Sequence, residues 1–351
     1  MAPEPPGAPA PAAPAVESTR RLIGASFDLL TRTSDDMRRA SFYIGAVLLG
    51  TVGPLAIATF GLEVVSIHKT QREMNRLLDS GAGGWYGLLV TFAVIGIVVA
   101  AIESQAMATA ILGGRFAGRP ITVRAALARS RAVFWRVIIA GIIVGIPVGI
   151  AQNVVTGVFE ALLGHETDVS LVTSALVAGV VGAPLAYLLG GVVLGDVDPV
   201  EATRRSFRVF RARKLAAALV AVFQTIAILL VVLGLSAGLD IALRVFDALG
   251  LGAESGPAGL TLVVLGILVG VFALGTLIYT ALAIALAPQV VMFVGLTRAT
   301  FGLDHVRPGG DRDPAMVRPG VRRFRWFTRP MLLGIALGLF GLLGFLVVIG
   351  R

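Results

Sequence analysis

Apolar residues run along this chain in long blocks, separated by short segments that hold nearly all of the charge. A helix needs about 20 consecutive apolar residues to cross the hydrocarbon core of a bilayer. Seven blocks reach that length: Ser41–Leu62, Trp85–Leu112, Val133–Val155, Val169–Leu194, Leu215–Leu239, Ala258–Val294 and Met331–Ile349. They predict an all-α integral membrane protein of about seven transmembrane helices. The sixth block is too long for one straight crossing. Pro288 predicts a kink there, with Gln289–Leu303 as an interfacial or cytoplasmic continuation.

A second pattern lies between the blocks. Residues 122–134 (TVRAALARSRAVF) align without gaps on 198–210 (DPVEATRRSFRVF). Thr122 and Asp198 suit helix N-caps, and Pro199 suits a first helical turn. Val123, Ala126, Leu127, Ser130 and Phe134 fall on one helical face, with Arg124, Arg129 and Arg131 pointing away. Val200, Thr203, Phe207 and Phe210 form a comparable stripe opposite Arg204, Arg205 and Arg208. An apolar stripe opposed by arginines predicts a helix lying in the membrane interface, and the six arginines are candidate contacts for anionic lipid headgroups. Weaker echoes at Arg20–Arg32, around Ser26 and Phe27, and at Arg322–Phe327 extend the repeat. The unit is one interfacial amphipathic helix plus one hairpin, used three times, followed by a last interfacial segment and span. The chain then divides into a disordered Pro/Ala-rich tail (1–17), a six-helix membrane domain (18–300), a basic linker (301–330) and a C-terminal transmembrane helix (331–351).

Charge orients these elements. Of 30 Lys and Arg, 25 fall before the first span, between spans two and three, between spans four and five, or before the seventh. Only Lys69, Arg72, Arg76, Arg244 and Arg351 lie on the other side. Basic residues stay cytoplasmic during insertion, so the N-terminus is expected inside and the C-terminus outside the inner (cytoplasmic) membrane. Trp85, Trp135 and Trp326 fall near expected interfaces, as does Tyr43. The composition, 56% hydrophobic and 15% charged, agrees with a membrane class. The net charge of +9 is explained by this sidedness rather than by nucleic acid. Residues 1–15 lack the basic n-region of a secretory signal.

The run from Leu194 to Phe210 (LGDVDPVEATRRSFRVF), directly after a span, resembles a helix start in bacterial multi-pass proteins related to the glycerophosphoryl diester phosphodiesterase membrane domain. Gly113–Leu127 (GGRFAGRPITVRAAL) is similar to that family's other such segment. The resemblance covers roughly residues 20–300. It implies a non-catalytic membrane module, because the catalytic domain fused to some members has no room in this chain.

Few residues offer chemistry. The chain has no cysteine, and His68, His165 and His305 are scattered, which predicts no metal centre and no cofactor. Gly234–Gly238 (GLSAG) matches G-x-S-x-G but sits within an apolar block, not at a strand–turn–helix elbow, so helix packing is the reading for Ser236. Gly141, Gly145 and Gly149 repeat every four residues, as do the pairs Gly191/Gly195, Gly266/Gly270 and Gly334/Gly338, and predict close helix contact within the bundle. Glu103, Gln105, Gln152 and Asn153 are polar groups inside spans, with Gln224 in span five and Asp240 and Arg244 able to pair near its end. Glu103 either pairs with Arg115 or Arg136 at the bundle rim or lines a polar path with Gln105, Gln152 and Asn153. Two readings of function follow. One is a non-enzymatic module that organises lipid or a protein partner; the other is a transporter, permease or channel component, suggested by the Gly/Pro interruptions at Gly145–Pro147, Gly182–Pro184 and Pro288.

Overall fold

The computed structural model describes residues 19–163, 168–248, 257–301, 306 and 329–349. The expected tail 1–17 and nearly all of the expected linker 301–330 lie outside them. Every regular element among the described residues is helical, and the chain is an all-α multi-pass membrane protein. In chain order the helices are α1 (Thr19–Arg32), α2 (Ser34–His68), α3 (Gln71–Leu77), α4 (Gly83–Phe116), α5 (Val123–Ala132), α6 (Phe134–Leu163), α7 (Asp168–Gly182), α8 (Leu188–Val193), α9 (Pro199–Ala212), α10 (Lys214–Ala248), α11 (Pro257–Phe301) and α12 (Arg329–Ile349). Five are long and apolar enough to cross a membrane: Ser34–Ser66, Gly83–Phe116, Phe134–Leu162, Val172–Val193 and Gly259–Ala299. Lys214–Leu230 makes a sixth when taken with α9, from which it is bent by 115°, while Leu332–Val347 is a shorter apolar helix.

The expected alternation of short amphipathic helix and long span is present. Helices α1, α5 and α9 each end a single residue before a long helix, at Thr33, Val133 and Arg213. Thr122 accepts a hydrogen bond from the Ala125 N–H and Asp198 from the Glu201 N–H, so both expected N-caps form.

Two compact units make up the chain: 1–37, 105–228 and 283–322 form one, and 38–104, 229–282 and 323–351 the other. In the second unit, α2 meets α4, α11 and α12 through glycines. A Cβ on Gly275 would lie 2.7 Å from Gly45 Cα, one on Gly96 2.3 Å from Thr51, and one on Gly338 2.8 Å from the Gly50 carbonyl. With no side chain at these crossings, the backbones come close enough for dispersion forces to hold them in lipid.

The interruption expected at Gly182–Pro184 is present: α7 stops at Gly182, a 3₁₀ turn occupies Ala183–Leu185, and α8 resumes at Leu188. Pro184 lacks the N–H that would have continued the ladder. Conversely, Pro288 does not end α11, which runs 45 residues. In its continuation Gln289, Val290, Val291, Met292, Phe293 and Val294 are all buried within the protein, with Phe293 against Gly190. Finally, the Gly141–Gly145–Gly149 stripe makes no close helix contact; a Cβ at each would meet nothing within 4 Å, beside exposed Ile139, Ile142, Ile146 and Ile150.

Candidate functional site

The candidate site is built in the first unit, where the two repeated helices hold the broken fourth span. In the aligned repeat, Ala126 matches Ala202, Arg129 matches Arg205, Ser130 matches Ser206 and Val133 matches Val209. Those shared residues are the ones that face inward: the alanines, serines and valines are all buried, Arg129 is 5% exposed and the Arg205 side chain 14%. The expected outward set therefore loses two arginines. On α9 the inward face is made of small side chains, which allow close approach, whereas on α5 the expected face of Val123, Ala126, Leu127 and Ser130 is itself buried. A Cβ on Gly191 would touch Ala202 at 2.9 Å, and one on Gly195 would lie 3.0 Å from Arg205 Nη1.

Arg129 closes the end of α8. Its Nε donates to the Val193 carbonyl (2.9 Å), and its Nη2 to the Val192 carbonyl (3.0 Å) and to Asp196 Oδ1 (2.9 Å). Carbonyls at a helix end lack intrahelical donors, and a guanidinium fork matches them. Asp196, in the left-handed region at φ 50°, also receives Arg136 Nη1 at 3.1 Å. Ser206 closes the break itself. Its hydroxyl accepts from the Tyr187 N–H (3.1 Å) and donates to the Pro184 carbonyl (2.7 Å), so it bonds two backbone groups at the break.

The outer face of α9 is different in kind. Val200, Arg204, Phe207 and Arg211 are spaced along one exposed helical stripe, with Val200 59% and Phe207 39% exposed. The expected stripe of Val200, Thr203, Phe207 and Phe210 opposite the arginines is thus not the buried one. Arg204, Arg205 and Arg208 converge on Glu201, the shortest contact being Arg208 Nη2 to Oε1 at 3.0 Å. The pairs of the exposed Arg204 and Arg208 hold those side chains loosely and leave them open to a stronger anion, whereas Arg205 is largely buried. On α1 the same order recurs, with Leu22, Ser26 and Leu29 buried and Phe27 67% exposed beside Ser26. On α5, Arg124 and Arg131 are exposed as expected.

Of the polar path residues, Glu103 belongs to the second unit and Gln105, Gln152 and Asn153 to the first. Glu103 is buried in the second unit and accepts a hydrogen bond from the Tyr43 hydroxyl at 3.2 Å. The arginines expected to pair with it are found elsewhere, Arg115 with Asp36 at 3.7 Å and Arg136 with Asp196. Gln105 and Gln152 are half-buried and Asn153 is exposed. A cavity of about 140 Å³ in the same unit as Glu103 is lined by apolar side chains, among them Ile44, Leu48, Ile97 and Ile278, and does not include it. Gln224 hydrogen-bonds to Gln289 on α11, a partner the block pattern concealed. Ser236 and Asp240 lie on α10 outside the residues whose side chains are described, and Arg244 is exposed.

No protein-family model, curated protein or solved structure matches this chain. The resemblance of 194–210 and 113–127 to the phosphodiesterase membrane domain therefore rests on those residues alone.

Proposed function

We propose that the chain is a non-enzymatic membrane module that gathers anionic lipid at its arginine-bearing helices in the cytoplasmic membrane, with those helices on the cytoplasmic side. The observation that carries this reading is the outer stripe of α9, where exposed Val200 and Phe207 alternate with Arg204 and Arg211. Apolar side chains of that size lower their free energy by entering the acyl boundary, and arginines one turn away then sit at headgroup phosphates. Phe27 on α1 repeats the arrangement. The distribution of basic residues supports the orientation.

The test is lipid selectivity in nanodiscs of mixed zwitterionic and anionic lipid. Arg204→Glu with Arg208→Glu should lower the anionic lipid retained around the protein, and Phe207→Ser should lower it less. Unchanged retention in the double variant would overturn the reading. A transport role is the second reading, favoured by the interruption of span four at Pro184. It requires water access to cysteines placed at 103 and 153, and a failure of both to react with a polar maleimide would remove it.

A further inference from the structure

The break in span four opens onto a small cavity whose wall includes Thr109, Tyr187, Gln289 and Phe293. All four side chains belong to the first unit. Hydroxyls within apolar helices ordinarily return their proton to a carbonyl one turn back. This chain follows that habit at Thr51, Thr59, Thr91, Ser104, Thr225 and Thr280, each bonded to the carbonyl four residues earlier. Thr109 does not. Its residue is 1% exposed, and its Oγ1 has no hydrogen-bond partner among the described residues. A buried hydroxyl left so is costly, and native structures resolve it with a ligand or an ordered water.

We propose that this cavity is a binding site for a single internal water, held by Thr109 Oγ1 and the Gln289 amide at the break of span four. The room open to the centre of a water molecule is about 10 Å³, which is the space of about one water. The chemistry fits that ligand better than a cation. Thr109 has a proton to give, which a water oxygen accepts and a cation cannot. Gln289 gives one N–H of its amide to Gln224, and its carbonyl oxygen can accept the water's own proton. No carboxylate is among the lining residues to balance a bound charge. The Tyr187 hydroxyl is already directed to Met292 Sδ at 3.2 Å, and the Tyr187 N–H to Ser206. The rest of the site's lining is apolar, with Ala186, Leu189, Val290 and Phe293. It stands independently of the lipid reading, since none of its residues is on the outer face of α9.

X-ray radiolysis of the full chain in lipid nanodiscs, read by mass spectrometry, tests it, because hydroxyl radicals formed from a bound water oxidise the side chains beside it. Tyr187 and Phe293 are each 1% exposed, and Tyr279 and Phe345 each 0%. Tyr187 and Phe293 should be oxidised several-fold faster than Tyr279 and Phe345. Thr109→Val, which keeps the shape and removes the hydroxyl, should bring them down to the rate of those controls. Thr109→Ser should keep them near the wild-type rate, and with the unaltered chain it carries the test if the valine variant does not fold. Equal rates at all four rings in the unaltered chain would overturn the proposal. So would wild-type rates in a folded Thr109→Val.

Discussion

Arg129 on α5 donates to the carbonyl of Val193, 64 residues further along the chain, at 2.9 Å, and so joins the first repeat helix to the end of the broken span. Two carbonyls and Asp196 accept from this one guanidinium, and Asp196 accepts from Arg136 as well. Arg129→Ala should therefore lower stability by about 2–4 kcal/mol, as removing one partner of a buried, charge-assisted cluster does. Arg124→Ala and Arg131→Ala, on the exposed face of the same helix, should change it by about 0.5 kcal/mol or less. Unfolding in detergent, followed by loss of the monodisperse peak on heating, would separate the two classes. Equal sensitivity at all three positions would contradict the inward placement of Arg129.

Ser206 bonds two backbone groups at the break of span four, the Tyr187 N–H and the Pro184 carbonyl. Ser206→Ala should leave the Tyr187 N–H and the Pro184 carbonyl unsatisfied, at a cost of about 1–3 kcal/mol. Hydrogen exchange should quicken at the Tyr187 amide while the core of α7 changes little. An unchanged Tyr187 amide would mean that the break is held by something other than α9.

Glycine substitutions should sort by neighbour rather than by motif. Gly275→Ala places a methyl 2.7 Å from Gly45 Cα and should destabilise the second unit by about 1–3 kcal/mol. Gly145→Ala meets nothing within 4 Å and should be neutral or stabilising by up to about 1 kcal/mol. A thermal scan of both variants decides the matter. A large loss at Gly145 would show that the stripe packs against another molecule.

At the start of α3, the Thr70 backbone N–H and hydroxyl both donate to Glu73 Oε2, and these bonds hold the Glu73 carboxyl below its ordinary value of 4.5. The charged form is favoured when α3 is folded, so the contribution to helix stability is present above the ordinary value. It is lost as the pH falls through the lowered one. Amide exchange at residues 71–74 should quicken on acidification in that range, and Glu73→Gln should abolish the pH dependence. An unaltered acid response in Glu73→Gln would assign it to another group.

Block hydropathy by itself determined the membrane class, the helical content and the position of the long helices. The aligned segments at 122–134 and 198–210 located α5 and α9 with their caps. Backbone satisfaction in lipid leaves little choice but helix over such blocks, and a cap is a local matter of one side-chain oxygen and one N–H. The expected face of α5, with Val123, Ala126, Leu127 and Ser130, is buried, but which face of α9 turned inward was decided only by tertiary structure. Periodicity ranks residues by hydrophobicity, but close packing of helices in a membrane selects small side chains. Hence Ala202 and Ser206 were buried, and Val200 and Phe207 left outside. The inward arginines were hidden for a related reason. A guanidinium is read as a surface group until a helix end elsewhere offers it carbonyls, and Val192 and Val193 are too far from Arg129 in sequence for any local pattern to reveal them. The partners of Glu103 and Gln289 were concealed likewise, since Tyr43 and Gln224 each lie at least 60 residues away.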